Sequence, residues 1–162
     1  MRVLAPVAQR LVADPERRDL LQGRWLGHGV HPLLTDVPLG MWMSAHALDA
    51  LGGHRARPAA TLLVGLGLGA AAPTAVTGLA EWADIGRRDQ RVGAVHALSN
   101  LTATACYAAS LSARLQGRHR AGMVRALAGG AAALVGGYLG GHLTEVRKVS
   151  SRHPAFVTDP AQ

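Results

Sequence analysis

The chain has 162 residues, a formal charge of +7 from 17 Lys and Arg against 10 acids, and one cysteine. That length suits a single domain, and the lone thiol of Cys106 excludes an internal disulfide framework, a four-thiolate iron–sulfur cluster and a Cys-x-x-Cys-His haem attachment. The cations lie between apolar runs rather than along one helical face, so nucleic acid is not an expected partner.

The apolar residues are mostly Ala, Gly, Leu and Val, with 20 glycines and only three Trp, two Tyr and one Phe. Such a composition fills a soluble core poorly, but in lipid it lets helix backbones approach closely. Residues 1–24 read as an amphipathic segment at the membrane surface. Val3, Val7 and Leu11 recur there at helical spacing, with Leu4 beside them. No continuous apolar stretch of a cleavable signal peptide is present. Asp14-Pro15-Glu16 predicts an N-cap with Pro at the first helical position, and Gly23 ends that second short helix.

Residues 25–144 form the transmembrane domain, with four spans at about 33–51, 59–80, 92–113 and 126–144, and residues 145–162 form a polar tail. The second and third spans carry no charge, and the fourth is bracketed by Arg125 and Glu145. Each of these three has roughly the 20 residues needed to cross a hydrocarbon core. The first is weaker, because it carries Asp36, His46 and Asp49. A soluble helix would show a polar face at the 3.6-residue period, and neither 61–80 nor 126–143 has one. The expected fold is all-α: a membrane-embedded antiparallel four-helix bundle after a short amphipathic N-terminal segment. Gly65 and Gly69, Gly136 and Gly140, and Gly137 and Gly141 have the Gly-x-x-x-Gly spacing of close helix packing.

Short connections reverse the chain, so four helix ends share one membrane face. To that face come His28, His31 and Asp36, then Thr77, Glu81 and Trp82, then His96 and Asn100, then Tyr138, His142 and Glu145. Ionisable groups at membrane depth are expensive and by default mark a site. His96 and Asn100 are four apart and share a helical face, as do Tyr138 and His142. A b-type haem between helices takes axial imidazoles from different helices. His31 and His96 are the first candidates for metal ligands, with His142 as substitute, and Asp36 and Asn100 would fix an imidazole tautomer. The same groups also suit a cofactor-free hydrogen-bond network in a scaffold for a redox complex, or a proton, quinone or small-solute site. His46, beside Met43, is expected to pack or to face a partner, with a second ligand site left open. Cys106, among apolar neighbours, is expected to be inert. No hydrolase, phosphate-loop or zincin motif is present, which points to a redox carrier or subunit rather than a stand-alone enzyme.

Trp25-Leu26-Gly27-His28 with His31-Pro32-Leu33-Leu34-Thr35-Asp36-Val37-Pro38-Leu39-Gly40 resembles the opening of a bacterial four-helix membrane family of unknown function. The resemblance continues through Pro73-Thr74-Ala75-Val76-Thr77-Gly78-Leu79 with Trp82-Ala83-Asp84, through Val95-His96-Ala97 with Asn100, and through Gly136-Gly137-Tyr138-Leu139-Gly140-Gly141-His142-Leu143. It covers nearly all of the chain from Trp25 to Leu143. Members are often fused to, or encoded near, a Rieske-type iron–sulfur domain. The resemblance therefore implies membrane embedding and a role beside electron transfer, with a redox protein partner that is iron–sulfur or quinone-linked. Two departures stand out: Gly29 where the family tends to have Pro, and a tail from Thr144 to Val149 in place of the segment leading into a Rieske domain.

Eleven Lys and Arg fall on the side of both termini and six on the other, out of 17. The positive-inside rule then expects a multi-pass protein of the bacterial inner membrane with both termini in the cytoplasm. Homo-oligomerisation is a further expectation, without a residue set to define it.

Overall fold

The computed structural model describes residues 4–151; Val3 and the tail after Ser151 lie outside the described residues. Every described element is helical. Leu4–Leu11 (α1) and Pro15–Gln22 (α2) are short, and four longer helices follow: Val30–Leu51 (α3), Arg57–Trp82 (α4), Arg87–Leu115 (α5) and His119–Gly141 (α6). A π-helical turn, His142–Val146, extends α6. At α2 the Asp14 carboxylate accepts the Arg17 N–H at 2.8 Å, Pro15 opens the helix, and Gly23 closes it at φ 69°. These are the cap, first-turn proline and left-handed stop that the sequence predicts.

The N-terminal segment does not merely rest beside the helices. Ala8 and Val12 pack with Ala80, Trp82 and Ala83 at the C-terminal end of α4. Gln9 Nε2 donates to the Ala83 carbonyl at 3.0 Å, and Gln22 Nε2 to the Ala80 carbonyl at 2.9 Å. Asp84 accepts from both Gln22 and Arg18 at 2.7 Å. Amide and guanidinium groups thus satisfy the carbonyls and the acid that the end of α4 exposes.

The long helices pack in ring order. α3 lies against α4 and α5 against α6 most closely, while α4–α5 and α6–α3 form looser seams. Buried positions repeat between the two hairpins. Pro38, Trp42 and Ala45 of α3 correspond to Ala103, Tyr107 and Ser110 of α5, each pair 65 residues apart. Ala60, Val64, Gly67 and Thr74 of α4 correspond to Gly122, Ala126, Gly129 and Gly136 of α6, each pair 62 apart. The halves are therefore two copies of one hairpin about an approximate two-fold axis between α3 and α5.

What these helices leave outside is apolar. Met43 is 70% exposed, Leu98 63%, Leu127 63% and Leu134 77%. Two helical stretches, Gly53–Trp82 and His119–Val146, are long and apolar enough to cross a membrane, yet only 22% and 28% of their apolar windows is buried. The core helix of a water-soluble protein would bury most of that surface. The interior is thin, built on Trp42, Ala45, Val64, Tyr107 and Ala126.

Candidate functional site

Three layers of side chains meet across the approximate two-fold axis, each pairing α3 with α5 at the same 65-residue separation. In the first layer, His31 and His96 have ring centres 6.2 Å apart with planes at 89°. His31 Nδ1 lies 2.9 Å from the Thr74 carbonyl on α4. His96 Nδ1 lies 2.7 Å from the Gly136 carbonyl on α6. A carbonyl only accepts, so Nδ1 carries the hydrogen in both rings and Nε2 is the basic nitrogen.

Glycines make room for these rings. A Cβ at Gly78 would come within 2.7 Å of His31 Cε1, and one at Gly140 within 2.9 Å of His96 Cε1. Gly78 and Gly140 stand four residues after Thr74 and Gly136, so each half holds its imidazole with the same carbonyl-then-glycine turn. Asn100 Nδ2 donates to His96 Nε2 at 3.0 Å, a contact that four-residue spacing makes available on one helix. The Thr77 hydroxyl donates to the Thr74 carbonyl at 2.9 Å, and it lies 3.5 Å from His31 Nδ1.

Of the residues singled out from sequence, the structure brings together His31, His96 and Asn100, with Thr77 beside them. His142 makes no hydrogen bond or ring contact with the pair, and among the described residues no group of three or more His, Cys, Asp or Glu could share a metal ion. Asp36 is exposed and bonded to neither ring. Five residues beyond His31, it has turned well over a third of a revolution away from the axis. Tyr138 is 76% exposed and faces outward. Glu81 is buried at the end of α4.

Sequence reasoning missed the other two layers. Trp42 and Tyr107 stack with centroids 4.0 Å apart and planes within 12°. A Cβ would be driven into Trp42 at Gly67, and would come 3.0 Å from Tyr107 Cε2 at Gly129. His46 Nε2 lies 3.0 Å from the Tyr107 hydroxyl. In the third layer Arg114 and Asp49 form a bidentate ion pair, with side chains 0% and 8% exposed. Arg114 Nε donates to Ser110 Oγ at 3.1 Å, and Ser110 Oγ to the Gly122 carbonyl at 2.7 Å, tying in α6. The signal for all three layers was the constant separation, carried by few identical residues beyond Val30-His31 and Val95-His96.

Residues 27–153 match a protein family described as "Predicted membrane protein (DUF2231)". No curated protein and no solved structure matches the chain.

Proposed function

The chain belongs to the DUF2231 family of predicted membrane proteins, and we propose that it crosses the bilayer four times as an antiparallel helical bundle holding b-type haem between His31 and His96. The observation that carries this reading is the meeting of one imidazole from each half of the molecule. The two rings come together at one place in the bundle, their centres 6.2 Å apart. Both Nδ1 hydrogens are spent on backbone carbonyls, the arrangement that orients metal-binding imidazoles and raises their basicity. Ligation would require Asn100 to turn away from His96 Nε2. Haem held by these residues would supply one-electron transfer. The chain's own carbonyls fix the imidazole tautomers.

The protein would then serve as a membrane subunit that passes electrons to or from an iron–sulfur or quinone-linked partner. The excess of Lys and Arg on the side of the termini supports an inner-membrane orientation with both termini in the cytoplasm. One observation favours a second reading, a cofactor-free scaffold for a redox complex: Asn100 already satisfies His96 Nε2.

A reduced-minus-oxidised visible spectrum of detergent-purified protein from haem-replete cells separates the two. Haem ligation predicts a Soret band and a sharp alpha band. Both are lost in His31→Ala and His96→Ala and kept in His142→Ala. Featureless spectra from well-folded wild-type protein would leave the scaffold reading in place.

A further inference from the structure

At the end of the bundle opposite the histidine pair, the α4–α5 seam opens into a groove of about 830 Å³. Its walls are apolar: Leu62 and Leu66 of α4 face Leu111 and Leu115 of α5, and a Cβ added at Gly65 would meet only Leu111, at 3.8 Å. The mouth is cationic. His54, Arg57 and His119 line it, and a second cavity of about 300 Å³ shares Arg57 and His119 and adds Arg118 and Arg120. Arg114 also reaches the groove, but Asp49 neutralises it.

The remaining cations are not neutralised. Among the described residues, none of Arg57, Arg118 and Arg120 forms an ion pair. Arg57 meets only the His54 ring, at 3.3 Å, and Arg118 only the Gln116 amide, at 2.7 Å. The groove opens sideways where Leu62 is 61% and Leu115 73% exposed.

We infer that this groove binds an anionic phospholipid, its phosphate among Arg57, Arg118 and His119 and an acyl chain along Leu62, Leu66 and Leu111. A soluble anion would account for the cations but not for the apolar walls. A neutral apolar molecule would leave the cations unmatched. Phosphate oxygens suit guanidinium groups in particular. The inference rests on residence in a bilayer and is independent of haem, so its failure leaves the visible spectrum unchanged.

Thermal unfolding of the delipidated full chain in neutral detergent tests it. Added phosphatidylglycerol should raise the midpoint by several degrees, while phosphatidylcholine with the same acyl chains and inorganic phosphate alone should not. Arg57→Gln combined with Arg118→Gln should abolish the shift. Gly65→Phe, which fills the groove and keeps every cation, should abolish it as well. An equal shift from phosphatidylcholine or from free phosphate, or a full shift retained in Gly65→Phe, would overturn the assignment.

Discussion

Arg114→Ala is expected to destabilise the protein by about 3–5 kcal/mol, because it leaves the buried Asp49 carboxylate without its ion-pair partner. The guanidinium is fully buried, holds Asp49 on α3 by two hydrogen bonds, and reaches α6 through Ser110 and the Gly122 carbonyl. One side chain thus closes three helices at the end of the molecule away from the histidines. Replacing both partners by leucine should recover most of the loss, since the desolvation cost of the pair disappears with it. Denaturant or thermal unfolding in detergent reads both outcomes. Wild-type stability in Arg114→Ala would mean that the three-helix tie is not formed.

Gly78→Leu and Gly140→Leu should each cost about 1–3 kcal/mol through overpacking and should displace the neighbouring imidazole. Even the first carbon of the new side chain comes too close to a ring carbon for real contacts. Neither ring can retreat while its Nδ1 remains on the carbonyl of the facing helix. At Gly69 and Gly137 an added Cβ would meet no atom within 4 Å, so leucine there should be near neutral. The contrast divides the glycine pairs that spacing alone treats as equal. Gly136 and Gly140 admit Asn100 and His96, Gly65 borders the open seam, and Gly137 and Gly141 face outward. Equal losses at all four positions would argue against this division.

The class of fold and part of the site were legible in the sequence for a simple reason. Apolar runs without a polar face and the capping residues around α2 are local signals, and one helical period links His96 to Asn100. Chain reversal then brings His31 to His96 without any knowledge of side-chain direction. Where direction mattered, the reading was less sharp. Asp36 and Tyr138 lie at the right depth but on the outer face of their helices, and His142 stands apart from the pair. Asp49 read only as a charge that weakens the first span, and Arg114 fell just past the end of the third. Only pairing across the molecule makes them interior. The repeat that organises all three layers escaped notice because the matched positions exchange residue types, Trp for Tyr and Asp for Arg, and keep only their inward placement.

The most direct test is thiol labelling of single cysteines in intact membranes, in a Cys106→Ala background, with a membrane-impermeant maleimide. Four antiparallel spans predict that Arg55→Cys and Gln116→Cys react from one side of the membrane and Arg88→Cys only from the other. Leu98→Cys and Leu134→Cys, though exposed on the protein surface, should stay unreacted because they face lipid. Labelling of positions 55 and 88 from the same side, or ready labelling at 98 and 134, would contradict the threading that brings the two histidines together.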